Sequence, residues 1–139
     1  MLDEDYSPSF VAGVPPDMFS KNGQLWGNPL YAWDMHKKTD YQWWKNRISW
    51  QSELFDIIRI DHFIGIVNYY SIPAESETAM NGEWKKGPGE KLTCIINEVV
   101  GEGKIIAEDL GVVTQPVVDL MEANEYPGMK VLEFALDCT

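Results

Sequence analysis

The sequence predicts an α/β fold in which parallel strands are covered by helices. Two observations predict it: short apolar, β-branched runs alternate with amphipathic stretches after residue 40, and no apolar run reaches the roughly 18 residues that span a bilayer. A complete (β/α)8 barrel needs about 250 residues, so 139 residues can supply only part of one. The alternation fits a slice of such a barrel or of an open doubly wound sheet.

Residues 1–40 are rich in glycine and proline and are predicted to form a long loop region. Residues that break helices and strands recur throughout it, namely Pro8, Gly13, Pro15, Pro16, Asn22, Gly23, Gly27, Asn28 and Pro29. Long irregular stretches inside a patterned chain are uncommon and tend to be functional. We expect residues 1–139 to form one segment, in which residues 41–139 supply the alternating helices and strands.

The first regular elements are predicted between residues 41 and 60. From Tyr41 to about Leu54, apolar residues recur at helical spacing, which predicts a helix. Its tryptophans Trp43, Trp44 and Trp50 are expected to pack against the sheet. Residues 55–60 are short, β-branched and mostly apolar, which predicts a buried strand. Residues 61–89 contain several prolines and glycines and are predicted to be irregular.

The next elements continue the alternation. Apolar residues at positions i, i+3, i+4, i+7 and i+8 of residues 92–100 predict a second helix, which Gly101 ends. Residues 104–107 predict a second buried strand. Thr114 can cap a third helix, which ends by residue 127, and residues 129–134 predict a third strand.

The amino-acid composition limits the classes of partner that the chain is expected to bind. Eleven Lys and Arg against 22 Asp and Glu give a net charge of −11, which argues against nucleic acid or an anionic membrane as the main partner. Cys94 and Cys138 are too few for a disulfide framework, and the acidic start does not resemble a secretion signal, so a cytoplasmic location is expected. Six Trp and six Tyr indicate either a dense core or a surface for stacking on flat ligands.

Carboxylates follow the predicted strands, and functional groups of parallel α/β folds gather where strands end. Asp61 and His62 follow the first strand, Glu108 and Asp109 follow the second, and Asp137 comes soon after the third. Adjacent strands lie about 4.8 Å apart. Asp61 and Glu108 could therefore approach the roughly 5–5.5 Å separation of the carboxyl pair in retaining glycosidases.

The settings of these two carboxyl groups differ. Arg59 precedes Asp61 by two residues, so the two side chains are expected on the same face of the strand. There the guanidinium of Arg59 would keep Asp61 ionised. Glu108 ends an apolar run, where desolvation and the charge of Asp61 would keep it protonated. The pair would then be a nucleophile and a proton donor. The spacing equally fits a structural Arg59–Asp61 ion pair beside a solvated or capping Glu108–Asp109 pair.

Neither a metal ion nor another cofactor is predicted. Ligation by Asp61, His62 and Glu108 is disfavoured because the chain has two histidines and no His-x-His pair. Residues 87–93 are not a phosphate-binding loop, because Glu90 separates the lysine from the last glycine and no strand precedes them.

Six motifs lie in order along nearly the whole chain, namely Gly13–Asp17, Gly23–Tyr31, Arg59–Phe63, Pro88–Leu92, Ala107–Gly111 and Pro127–Leu132. Together they resemble the amylomaltases, which are 4-α-glucanotransferases (disproportionating enzymes) related to the α-amylases. The resemblance implies a partial (β/α)8 TIM barrel of about three strand–helix units. It also implies cleavage of α-1,4 links in a maltodextrin donor and transfer of the glucan to the 4-hydroxyl of glucose or a glucan acceptor.

The resemblance also implies residue roles. Asp61 would be the nucleophile that forms a β-glycosyl-enzyme, and Glu108 would be the general acid/base. Arg59 and His62 would contact the nucleophile and the sugar hydroxyls. Asp109 would help to hold the site, and Trp26, within residues 1–40, would border the sugar-binding groove.

One departure from the family pattern limits the expected activity. The family has a third catalytic carboxylate in a His-Asp motif, and these 139 residues contain no such motif. We therefore expect little or no transferase activity from the isolated chain. Part of a barrel would also leave strand edges unpaired, which predicts self-association. A non-catalytic glucan-binding fragment and a structural fragment without sugar affinity are the alternatives.

Overall fold

The computed structural model describes residue 4 and residues 6–132. A 3-10 turn occupies Ala79–Asn81. The helices and strands are β1 (Phe10–Val14), β2 (Gln24–Pro29), α1 (Trp33–Lys38), α2 (Gln42–Leu54), β3 (Ile58–Ile60), α3 (Ile64–Val67), β4 (Asn68–Pro73), β5 (Glu83–Lys86), α4 (Glu90–Val100), β6 (Ile105–Ala107) and α5 (Gln115–Ala123).

The parallel strands β3 and β6 are the part of the fold that the sequence predicts best. Ile58 pairs with Ile105 and Ile60 with Ala107. The backbone N–H of Glu108 extends the ladder by donating to the Ile60 carbonyl at 2.9 Å. The prediction that the first two strands of the alternating segment are parallel, and the α/β class with it, is confirmed.

Helices α2, α4 and α5 and the parallel strands enclose one hydrophobic core. The predicted stripe of α4 is buried in this core at Leu92, Ile95, Ile96 and Val100, which confirms the helical periodicity. The helix ends at Gly101, whose positive φ of 75° suits a residue without a Cβ atom.

A second sheet was not predicted. It is antiparallel, with strand order β2-β1-β4-β5, and it uses residues that the sequence analysis assigned to loops in 1–40 and 61–89. Gly13, taken as a loop signal, lies inside β1, where an added Cβ atom would stand 2.2 Å from the Gln24 carbonyl oxygen. The glycine thus permits close approach of two strands. All of β2 is exposed, so it lacks the alternation of burial that identifies a strand.

The third predicted strand, residues 129–134, does not form in the described residues. Residues 129–131 have no regular structure and Leu132 is helical, while residues 133–139, including Asp137, lie outside the described part. The segment instead approaches the edge of β6 that faces away from β3, where the Ala107 N–H donates to the Pro127 carbonyl at 2.9 Å. Helix α5 also ends at Ala123, short of the predicted end.

No helix within the described ranges has both the length and the apolar character that crossing a membrane requires.

We expect Leu92→Ala to lower the free energy of unfolding by about 2–5 kcal/mol, because Leu92 is fully buried and the surrounding helices can close the cavity only in part. Urea unfolding followed by circular dichroism measures the change. Leu132→Ala is the matched control, since Leu132 is exposed and its truncation should change stability by less than about 0.5 kcal/mol. Equal losses in the two variants would contradict the assigned core.

Candidate active site

The ends of the two parallel strands carry the candidate site. Asp61 follows β3 and Glu108 follows β6, each one position beyond the last paired residues. A turn over residues 61–63 leads from β3 into α3. The two carboxylates therefore start from neighbouring strands at the same edge of the sheet, as the sequence predicted.

Glu108 is almost wholly buried, with 7% of its surface exposed. Its two carboxyl oxygens accept backbone hydrogen bonds, Oε2 from His62 N at 2.8 Å and Oε1 from Leu110 N at 2.7 Å. The carboxyl group is thus satisfied despite its burial, and it connects the turn after β3 to the loop after β6. The protonated state expected for Glu108 stays a prediction.

Asp61 is in the opposite environment. Its Oδ1 forms an ion pair with Nη2 of Arg59, and the two side chains are 74% and 47% exposed. The shared face of Arg59 and Asp61 agrees with the spacing of two residues along a strand. Because an exposed ion pair contributes only about 0–1 kcal/mol, its main effect is to orient the two groups and not to stabilise the fold.

His62 is held in a strained conformation between the two carboxylates. Its φ of 47° lies in the left-handed region that few residues other than glycine adopt. The Trp26 ring meets the imidazole edge-on, with centroids 4.8 Å apart, and a Cβ atom at Gly65 would lie 3.0 Å from its Cδ2. Burial lowers the pKa of His62, and the Glu108 and Asp61 charges oppose that shift, so the ring is neutral near pH 7.

Asp109 contacts a segment that is distant in the sequence. Its Oδ1 accepts a hydrogen bond from the Met129 backbone N–H at 2.8 Å. A Cβ atom at Gly128 would lie 2.5 Å from Oδ2, so only glycine allows the chain this close to the carboxylate. The holding role expected for Asp109 stays a prediction.

A cavity of about 610 Å³ brings together four of the six predicted site residues, Trp26, Arg59, Asp61 and His62. Glu108 and Asp109 are not among its lining residues. Its volume is in the usual range for small-molecule sites. Residues that the sequence analysis did not assign to the site also line it, namely Ala12, Asn28, Pro29, Leu30, Tyr31, Trp33, Trp44, Arg47, Ile48, Gln51, Ile58, Ile60, Gly65, Ile66 and Tyr69.

An aromatic cluster borders this cavity. Tyr31 has ring centroids within 5.1–5.8 Å of four neighbours, which are Trp33, His36, Trp43 and Trp44. The expectation that Trp43, Trp44 and Trp50 all pack against the sheet holds only for Trp44, since Trp43 and Trp50 are exposed. The helical spacing of apolar residues predicted the helix, but it did not determine which face of the helix the core would cover.

In the portion of the chain that the structure describes, no group of three or more His, Cys, Asp or Glu side chains could hold a metal ion.

Comparison with known proteins finds related sequences and a related structure. A family model described as 4-alpha-glucanotransferase matches residues 1–139. A 4-alpha-glucanotransferase of Thermus thermophilus is 52% identical over 136 residues, which are 98% of this chain and 27% of that protein. One from Streptococcus pneumoniae serotype 4 is 52% identical over 127 residues, 91% of this chain and 25% of that protein. The chain thus spans about a quarter of the length of these curated relatives.

A solved structure is also similar. The amylomaltase from Streptococcus agalactiae in complex with acarbose superposes with a TM-score of 0.89 at 45% sequence identity, and the match covers 96% of this chain and 27% of that one. The match of the family model to every residue, together with relatives that share half of their aligned positions, establishes that this chain belongs to the 4-alpha-glucanotransferase family.

Proposed function

We propose that this chain is the part of a 4-alpha-glucanotransferase that carries its nucleophile and its general acid/base, within a partial (β/α)8 TIM barrel whose residues 1–40 border the sugar groove. The observation that carries the proposal is the position of Asp61 and Glu108 at the ends of two adjacent parallel strands. The substrates would be α-1,4-glucan donors such as maltodextrins, and glucose or a glucan as acceptor.

The reaction would proceed in two displacements that together retain the anomeric configuration. A carboxylate oxygen of Asp61 attacks the anomeric carbon while the bond to the leaving glucan oxygen breaks, and that oxygen takes the proton of Glu108. In the second step the acceptor 4-hydroxyl attacks the same carbon, gives its proton to Glu108 and releases Asp61.

The environments of the two carboxyl groups support these roles. Asp61 is exposed to the cavity and paired with a guanidinium, which suits an ionised nucleophile that must be reached by substrate. Glu108 follows the neighbouring strand at the same edge of the sheet, which suits a group that gives its proton to the leaving oxygen of the same sugar. A neutral His62 can bond sugar hydroxyls without adding a second cation beside Arg59, and the half-exposed Trp26 ring can stack on a sugar.

A chimera tests the roles of both carboxyl groups. Residues 1–139 replace the matching quarter of the Thermus thermophilus relative, and glucose release from maltotriose measures transfer. We expect Glu108→Gln to lower kcat by roughly 10²–10⁴-fold, because the leaving oxygen then lacks its proton donor. Asp61→Asn should lower kcat at least as much, since the covalent intermediate cannot form.

The matched controls are Glu98→Gln and Asp56→Asn, which alter exposed carboxylates and should leave the rate unchanged. Maltosyl fluoride, whose leaving group needs no acid, should leave a maltosyl group on the peptide containing Asp61 in the Glu108→Gln chimera. An Asp61→Asn chimera that keeps its rate would refute the nucleophile assignment.

The 139-residue chain alone is expected to transfer little labelled glucose into maltotriose, because it has no His-Asp motif to supply the third carboxylate of the family pattern. Substantial incorporation that Asp61→Asn abolishes would contradict this expectation.

The aromatic cluster favours a second candidate, glucan binding without catalysis. Three of its rings, those of Tyr31, Trp33 and Trp44, line the same cavity as Trp26 and could stack on sugar rings. Calorimetric titration with maltoheptaose or acarbose distinguishes the two functions. Binding that survives in an Asp61→Asn/Glu108→Gln double variant, with an inactive unmodified chimera, would favour this candidate over transfer.

We also propose that copies of the isolated chain self-associate. In the described residues β3 pairs only with β6, so its other edge is open. The Ile58 N–H and the Ile60 carbonyl bond to the β6 side. The N–H and carbonyl of Arg59, which lies between them, therefore point to the open edge. Helix α2, which precedes β3 in the chain, exposes Trp43, Trp50 and Leu54 by 46%, 67% and 70%, at the i, i+7 and i+11 spacing of a helical stripe.

Light scattering should therefore give a mass above that of the monomer, and Trp50→Glu should lower it by placing a charge in the stripe. Trp84→Glu, which changes an exposed tryptophan on β5, is the control and should leave the mass unchanged. A monomeric mass for the unmodified chain, together with a cooperative melt, would count against association.

A further inference from the structure

We propose that Met129 is a positioning residue that orients the Arg59 guanidinium towards Asp61, and that Asp109 holds Met129 in place for this purpose. The inference rests on the proposed function, in which Asp61 is the nucleophile. It assigns a role to Met129 that the two-carboxylate mechanism does not require by itself.

The guanidinium of Arg59 is contacted at two of its nitrogens. Nη2 pairs with Oδ1 of Asp61, and Nε donates to Sδ of Met129 at 3.1 Å. The guanidinium is planar and presents its donors in fixed directions. An acceptor at Nε therefore sets the rotation of the whole plane, and with it the direction in which Nη2 points. Without that acceptor, a half-exposed arginine would sample several rotamers.

The chemistry of the acceptor suits this purpose. A thioether sulfur is a weak, uncharged acceptor. It can align the guanidinium without attracting its charge, so Asp61 stays the only carboxylate within the ion-pair distance of Arg59 among the described residues. A carboxylate in the place of Met129 would compete with Asp61 for the same cation.

Met129 is itself held firmly although it has no regular secondary structure. Its backbone N–H donates to Asp109 Oδ1 at 2.8 Å, and Gly128 permits that close approach. Pro127 anchors the same segment to β6 by accepting from the Ala107 N–H. The contacts thus run from Asp109 through Met129 and Arg59 to Asp61. They join the two carboxylate-bearing strands by a second route, separate from the bond between His62 and Glu108.

The arrangement of arginines makes a direct test practical. The chain has only two arginines, so a ¹H–¹⁵N spectrum of Nε–Hε groups contains one resonance from Arg59 and one from Arg47. Arg47 lies over the Trp43 ring and serves as an internal control. In the unmodified chain we expect a nuclear Overhauser contact between Arg59 Hε and the Met129 methyl group. Its absence would overturn the inference without any variant.

Substitutions of Met129 then distinguish a role as hydrogen-bond acceptor from a role as an apolar packing contact. Met129→Leu conserves volume but removes the sulfur. We expect hydrogen exchange of Arg59 Nε–H to accelerate roughly three- to tenfold, the change that loss of one such hydrogen bond produces. Met129→Gln supplies an amide oxygen acceptor and should restore slow exchange, which a purely apolar contact would not do. Met80→Leu, at an exposed methionine, should change neither resonance.

Activity in the chimera completes the test. Met129→Leu should lower kcat roughly three- to tenfold with KM little changed, because substrate binding is kept while the nucleophile loses its orientation. An unmodified chimera that transfers no glucan would refute the proposed function, while the exchange data would still decide the positioning role. Unchanged Arg59 exchange in a folded Met129→Leu chain would refute the positioning role alone.

Discussion

The parallel pairing of β3 with β6 is the constraint on which the candidate site depends. It brings the chain after Ile60 and the chain after Ala107 side by side at one edge of the sheet. Side chains alternate between the two faces of a strand, so a shift of one residue in this register would move Arg59 and its neighbour Asp61 to the face that packs on the helices. The core beneath α2, α4 and α5 prevents such a shift, because it buries Ile58 and Ile105 on the opposite face.

Unequal forces hold the two carboxyl groups. The buried Glu108 accepts two backbone hydrogen bonds, and a typical intramolecular hydrogen bond contributes about 0.5–1.5 kcal/mol. One of them comes from His62, whose left-handed backbone costs about 1–3 kcal/mol, so the carboxyl group offsets the strain of the turn beside it. The exposed Asp61 is held by an ion pair, and such a pair contributes only about 0–1 kcal/mol. This light restraint is compatible with the nucleophile role that we propose for Asp61.

The antiparallel sheet completes the site by bringing β2 to the parallel pair. Trp26, near the middle of β2, meets the His62 ring edge-on, although 36 positions separate the two residues. Gly13 makes this possible, since β1 and β2 approach too closely there for a Cβ atom. The segment around Met129 is a third part of the chain, and its hydrogen bond to Asp109 joins it to the site. The candidate site is therefore an assembly of three distant segments around two short strands.

The sequence by itself determined the helices α2 and α4, the parallel strands and the residues at their ends, because periodic apolar patterns and strand-end carboxylates are local signals. It also carried the motifs of the family. Only the tertiary structure decided that Trp43 and Trp50 face outward and that residues 10–14 and 68–73 pair in a sheet. It also decided that Glu108 bonds to the backbone of His62 and that Met129 contacts Arg59. Those outcomes depend on which distant segment covers each residue, and neither spacing nor composition encodes a contact between segments that are 46 or 70 positions apart.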